Sequence, residues 1–553
     1  MTAGHTDPPR GMPTPPRTPT GARPRMLPVM PDPIILTGRD LTLEAVEAVA
    51  RHGAPAILAP EARRRMAQSR AVIEAIVARD ETVYGVTTGF GDLATKRISP
   101  ADAARLQENL LVSHAVGVGP RFDLATVRAM LLLRANTLAL GFSGCRPEIV
   151  DRLLAFLERG IHPVVPEQGS VGASGDLAPL AHLGLPLIGR GAVELGGETI
   201  PAAEALARAG LQPLRLEAKE GLALLNGTQM MTAVGALAVL DAERLARTAS
   251  VVAAMSTEAL LGTDVAFSAA YHATRPHPGQ ARVAAELRHL LRDSELQRSH
   301  HGVEHKVQDP YSIRCVPQVH GATADALAHA RRVLEIEANS ATDNPLVFPE
   351  GAVADPSAVA TAGGHVISGG NFHGQPVALA MDFAKLAIAE LGSISERRTA
   401  LLVDGRLSGL PAFLVHDAGL NSGLMLLQYT AAALVSEDKV LVHPASADSI
   451  PTSANQEDHV SMGSIAARQA RQILGNVEVV LALELLCAGQ GLDFRLADGH
   501  RPGAGVAEAH RRLRARVAHL ETDRDPGPDI EAATDLVRGG AFLDLLPAAS
   551  QGR

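Results

Sequence analysis

Tryptophan is absent from the 553 residues, and all aromatics together make up 3% of the chain. That scarcity disfavours a β-sandwich, whose strands rely on aromatic and β-branched pairs. Apolar residues still reach 46%. They are mainly Ala, Leu and Val, and so favour packed helices. Cysteine is nearly missing: Cys145, Cys315 and Cys487 are far apart and odd in number. Neither a disulfide framework nor a cysteine metal site fits that spacing, and a reduced, cytoplasmic compartment is expected. Positive charge is short as well. The net charge of −9 provides no basic stripe for nucleic acid. No uninterrupted apolar run reaches the roughly 18 residues of a membrane span. The N-terminus lacks the apolar core of a signal peptide.

Proline is abundant in one place. Residues 1–33 hold ten prolines, too many for regular helix, and are expected to be a disordered extension. An upstream start assignment, with Met26 or Met30 as the true beginning, explains the same composition shift. From residue 34 onward the patterning is helical. In "RPEIVDRLLAFLERG", Val150, Leu153, Leu154 and Leu157 recur at helical spacing. Pro147 suits the first turn and Gly160 the position after the end. "QPVALAMDFAKLAIAELGSISERR" opens on Pro376 and is apolar nearly all round, which predicts a bundle centre or a subunit contact. Strand-like pieces such as "DPIILTG" and "GAVELGGETI" are short. The expected organisation is mainly α: an N-terminal region over 34–240, then a central and C-terminal helical bundle over 241–553.

The stretch "GSVGASGDLAPLAH", residues 169–182, has three glycines in seven residues. It lacks the lysine of a phosphate loop. It also fails the nucleophile elbow, because Asp176 stands where the last glycine belongs. Gly175 has no side chain, so its nitrogen can approach the Ala173 carbonyl carbon. Ring closure there, with loss of water from the ring and from Ser174, leaves an exocyclic methylidene, a strong electrophile. Asp176 and Pro179 suit a cap and a first helical turn. Taken alone, the tripeptide reads equally as a flexible turn before a helix.

The surroundings of that stretch resemble the ammonia-lyase family that makes a 4-methylidene-imidazol-5-one (MIO) from Ala-Ser-Gly. The likeness runs over about residues 34–520 through "VYGVTTGFGDLA", "NLLVSHAVGVGP", "LALLNGTQ", "VQDPYSIRCVPQ", "SGGNFHGQP" and "PTSANQEDHVSMG". It implies an MIO-lyase fold, an electrophile built from Ala173, Ser174 and Gly175, and no external cofactor or metal. It also implies a homotetramer whose sites draw on three subunits, acting on a small amino acid. Tyr84 matches the catalytic base for the β-proton. A phenol with a pKa near 10 needs hydrogen-bonding or positive surroundings for that task. Asn226 matches a partner of the MIO oxygen, although it also reads as a turn residue before Gly227. Gln308, Tyr311 and Arg314 fall in "QDPYSIR", with Tyr311 counted among the catalytic residues. Arg314 is placed for a bidentate grip on the substrate carboxylate. Phe372 matches a pocket wall, or simple core packing.

His114 and Glu457 match the residues that hold the imidazole in the histidine-specific members. A buried carboxylate gains a charge-assisted bond from an imidazole N–H and gains nothing from a phenyl ring. Deamination of L-histidine to trans-urocanate is therefore expected, with tyrosine or phenylalanine ammonia-lyase or aminomutase chemistry as the alternative. A competing motif, "HGVEH", sets His301 and His305 in the H-x-x-E-H pattern of some zinc peptidases. Gly302 and Pro310 weaken any helix there, and the polar flanks read as a solvated loop.

Overall fold

The computed structural model describes residues 1, 32–93, 95–99, 101–300, 308–352, 358–497 and 499–548. The proline-rich extension therefore lies almost wholly outside the described residues, as do His301 and His305. The fold is mainly helical, as the composition predicts.

Four long helices form its centre: Gln229–Ala259, Val316–Ala338, Gln375–Val403 and Gly463–Leu496. They pack against one another along their lengths. Their Ala- and Leu-rich faces bury into one continuous core that reaches from Leu36 to Leu546. Gly463–Leu496 is, among the described residues, the one helix long and apolar enough to cross a membrane. Its most apolar window is 78% buried inside the fold, so its neighbours already cover that surface. The Gln375–Val403 helix buries one side in the bundle. On its outer side it exposes Leu379, Phe383 and Leu386, an i, i+4, i+7 stripe.

A buried ion pair locks three of these helices in register. Arg398 meets Glu484 through Nε (2.5 Å) and Nη2 (2.8 Å). Ser256 and Ser395 each donate to the same carboxylate at 2.6 Å. Four donors on one fully buried carboxylate satisfy it, the condition under which such a pair is tolerated in a core.

Around the bundle, the N-terminal part is built from shorter pieces. Leu124–Ala139 is buried on every face. Pro147–Arg159 starts on its proline and ends at Gly160 in the left-handed conformation (φ 65°), as the spacing predicts. "GAVELGGETI" forms a hairpin, Ala192–Leu195 against Glu198–Pro201, turning on Gly196 and Gly197 at positive φ. Two glycines at positive φ are what a two-residue hairpin turn requires.

One local expectation fails. Asp176 precedes the helix Leu177–Gly184, but its side chain makes no capping bond there. It turns into the protein and accepts from the Met231 N–H at 2.9 Å, in the first turn of the Gln229–Ala259 helix. The acceptor serves another helix N-terminus, one that is buried, and so ties the glycine-rich loop to the central bundle.

Candidate active site

The glycine-rich loop is held from both sides. Met462 N–H donates to Val171 O (2.9 Å), Ser461 Oγ to Gly172 O (3.1 Å) and Ser464 Oγ to Ser170 O (2.7 Å). From the other side Asp176 N–H donates to Gly227 O at 2.7 Å. Glycine is required at two points of this clamp. Gly175 has φ +75°, and a Cβ there would sit 2.1 Å from Gly227 O. Gly172 has φ +68°, and a Cβ there would sit 2.2 Å from Ser461 Oγ.

This clamp presents Ser174 to a cavity of about 960 Å³ lined by Tyr84, His114, Ser174, Asn226, Phe372 and Glu457, among others. Six of the residues singled out from sequence thus meet in one place. Ala173 and Gly175 face a second, smaller cavity of about 250 Å³ behind the loop. His114 and Glu457 border both spaces. Gln308, Tyr311 and Arg314 are not part of either lining. Tyr311 is 71% exposed. Tyr311 and Arg314 do share one face of a short turn, Tyr311–Arg314, with the guanidinium 4.5 Å above the phenol ring.

The hydrogen bonds inside the cavity are specific. Ser174 Oγ donates to Glu457 Oε1 (2.9 Å), and Thr452 Oγ1 donates to Glu457 Oε2 (2.8 Å). Asn226 Nδ2 donates to the Ser174 carbonyl oxygen at 2.9 Å. The buried Oδ1 of Asn226 has no partner. Gly91 N–H points at the Tyr84 hydroxyl oxygen from 3.4 Å. His114 pairs through Nδ1 with Ser113 Oγ at 3.0 Å. Burial holds its pKa below the ordinary value, while nearby Glu457 pulls in the opposite direction. Burial pushes the Asp176 carboxyl up to about 7.

Several groups at the site carry no signal in the sequence. Asn344 lines the cavity; it donates to Ser368 Oγ (3.1 Å) and accepts from Gly369 N–H (2.7 Å). Arg134 sits in the middle of an apolar helix and reads as an ordinary helix charge, yet it is fully buried. No cluster able to hold a metal occurs among the described residues.

Most of the chain is similar to known lyases and aminomutases. It is 55% identical over 515 residues to histidine ammonia-lyase of Deinococcus radiodurans, covering 93% of this chain and 95% of that protein. The crystal structure of histidine ammonia-lyase from Trypanosoma cruzi superposes with a TM-score of 0.84 at 43% identity, covering 93% of this chain and 96% of that one. Tyrosine aminomutase from Streptomyces globisporus superposes equally well, with a TM-score of 0.86 at 40% identity, covering 94% and 99%. The profile of the aromatic amino acid lyases matches residues 41–515, and with the loop, cavity and likeness all in agreement, the chain belongs to the aromatic amino acid lyase family.

Proposed function

We propose that this chain eliminates ammonia from L-histidine to give trans-urocanate, using an MIO formed from its own Ala173, Ser174 and Gly175. The supporting observation is the bond from Asn226 Nδ2 to the Ser174 carbonyl oxygen. On cyclisation the Ala173 oxygen leaves as water and the Ser174 carbonyl becomes the ring carbonyl. Asn226 therefore already grips the atom that must carry negative charge. The steric demand at Gly175 and the unpartnered Asn226 Oδ1 also suit a compact, rigid ring with polar edges. The group supplies an electron-poor alkene carbon, the former Ser174 Cβ, to which a substrate amine can bond.

The remaining chemistry belongs to side chains. Tyr84, with the Gly91 N–H on its oxygen, takes the β-proton of the substrate. Glu457 accepts from an imidazole N–H, and His114 stands beside it at the ring end of the cavity. Phe372 closes a wall. Holding both ends of the substrate converts an encounter into a unimolecular step. Glu457 also separates this reading from that of the tyrosine aminomutase likeness, since a carboxylate rewards an imidazole N–H most.

The carboxylate end is supplied by Arg314, with Gln308 and Tyr311, from a neighbouring chain of a homotetramer. The exposure of Tyr311 and the apolar stripe Leu379, Phe383, Leu386 support that assembly. Two measurements test the proposal. The peptide spanning 169–182 should be lighter than its sequence by two waters, and L-histidine should yield urocanate and ammonia one to one. An unmodified peptide in active enzyme overturns the mechanism. For the assembly, coexpression of Ser174→Ala with Arg314→Ala chains should restore roughly a quarter of the activity, as random pairing in a symmetric tetramer predicts. No restoration means that one chain supplies both ends.

A further inference from the structure

Directly behind Asn226 lies a cation without a counter-ion. Arg134 is fully buried in the Leu124–Ala139 helix. Its Nη1 donates to the Asn226 backbone carbonyl at 2.8 Å. Its Nε and Nη2 have no partner. Among the described residues it forms no ion pair. The carboxylates around it are committed elsewhere. Asp343 pairs with Lys219 at 2.7 Å. Asp176 accepts from Met231 N–H, and its raised pKa leaves it only partly ionised at neutral pH. Burial lowers the Arg134 pKa only to about 10, so the guanidinium stays charged at neutral pH.

A buried charge with no counter-ion is expensive for a fold to keep. The expense is offset if negative charge appears nearby at a moment that matters. We infer that Arg134 is a positioning residue for the electrophile, holding Asn226 against the Ser174 carbonyl oxygen and supplying the positive field that stabilises charge on that oxygen. The inference rests on the function proposed above.

The electron count is simple. When a nucleophile bonds to Ser174 Cβ, the alkene pair moves through the conjugated ring onto the Ser174 carbonyl oxygen. When the ring first forms and Ser174 loses its hydroxyl, removal of the Ser174 Cα proton places charge on the same oxygen. That pair then forms the alkene as the Cβ–Oγ bond breaks, and the oxygen leaves as water with a proton from solvent. Both events place charge on the oxygen that Asn226 holds. In a dry interior a fixed cation acts on such charge far more strongly than in water.

The experiment uses the full-length Arg134→Gln and Arg134→Lys variants and reads the mass of the 169–182 peptide. Cyanide serves as a probe nucleophile, and its addition to that peptide is followed in time by mass. Loss of one oxyanion donor slows catalysis about 10²–10³-fold. Acting one group removed, loss of the Arg134 charge should slow cyanide addition about 10- to 100-fold in Arg134→Gln. Arg134→Lys keeps the charge and should stay within about tenfold of wild type despite losing the planar fork. A Gln variant that folds but remains short of the two-water loss, beside a Lys variant that completes it, supports the same inference. Equal maturation and equal cyanide rates in wild type and Arg134→Gln overturn it. If the Gln variant does not fold, the Lys variant decides. A folded Lys variant slowed 100-fold refutes the charge argument, and one that keeps most of the rate supports it. A wild-type peptide with no water missing refutes instead the function on which the inference rests.

Discussion

Replacing Glu457 by Gln separates a recognition role from a structural one. In the uncyclised chain the carboxylate takes two hydroxyl donors, Ser174 Oγ on Oε1 and Thr452 Oγ1 on Oε2. In the proposed maturation the Ser174 hydroxyl is lost, which would free Oε1 for the substrate ring. Glutamine keeps one acceptor oxygen, and Thr452 can turn to accept from the new amide. The Thr452–Glu457 backbone bridge does not involve the side chain. The residue is only partly buried, so stability should change by no more than about 0.5 kcal/mol. Recognition should change much more. A hydrogen bond to a charged group contributes about 1.5–3 kcal/mol. At 1.4 kcal/mol per factor of ten, that is about a 10- to 150-fold loss in kcat/KM for L-histidine. Phenylalanine offers no N–H, so the same variant should not lose activity toward it, and the histidine-to-phenylalanine ratio should fall. The assay is urocanate formation by absorbance, with thermal melts run alongside. A kcat/KM for histidine within about threefold of wild type, at unchanged Tm, refutes Glu457 as the ring anchor.

Other substitutions probe the loop itself. Ser174→Ala should fold normally, since it removes one half-buried hydroxyl, and should abolish turnover; ammonia release at a rate comparable to wild type would exclude a serine-derived electrophile. Gly175→Ala places a Cβ 2.1 Å from a carbonyl oxygen at φ +75° and should destabilise by at least about 1–3 kcal/mol, visible as a lower Tm; an unchanged Tm would mean that the loop is not clamped. Asp176 has its pKa raised from 3.8 to about 7 by burial, so the folded state holds a proton that the unfolded chain has already lost. That contribution is complete below pH 4 and disappears as pH rises through 7. The Tm of wild type relative to Asp176→Asn should accordingly decline between pH 4 and 7, and a flat difference would show that the carboxyl is not protonated in the fold.

The helical frame is largely legible from sequence because its signals are local. Pro147 and Gly160 bracket a helix that the structure ends at the same glycine, and the Gly196–Gly197 hairpin turns where it must. The cavity is legible for another reason: Tyr84, His114, Asn226, Phe372 and Glu457 each sit in a stretch that resembles a family motif. Asp176 shows the limit of that approach. Its position before a helix suggests a cap, and the local pattern is right about the helix start. The side chain answers a different demand, the Met231 N–H of a helix that begins some 50 residues later. Arg134 shows the same limit in a charge. The helical residues around it, Leu124–Ala139, look alike whether the guanidinium faces solvent or the back of Asn226. Only the packing of that helix against the Asn226–Gly227 turn distinguishes the two.

The proposed division between Arg314 and the rest of the site has the same physical basis. A single chain gathers Tyr84, His114, Asn226, Phe372 and Glu457 around Ser174, with Arg134 and Asn226 buried in a medium that screens charge little. A second cation for the substrate carboxylate, buried in that chain, would add to an unpaired positive charge and raise the desolvation cost. In the turn Tyr311–Arg314, Ser312 and Ile313 are buried, Tyr311 is exposed, and the partly exposed Arg314 guanidinium rests on that phenol ring. The turn is fixed from beneath by Arg398, whose Nη1 reaches Ser312 O at 3.4 Å while the same guanidinium is locked to Glu484. In the proposed tetramer the second cation, half-buried in one chain, is fully buried only when chains assemble and an anionic substrate arrives to neutralise it. Assembly and substrate binding then share a desolvation cost that the fold of one chain need not bear.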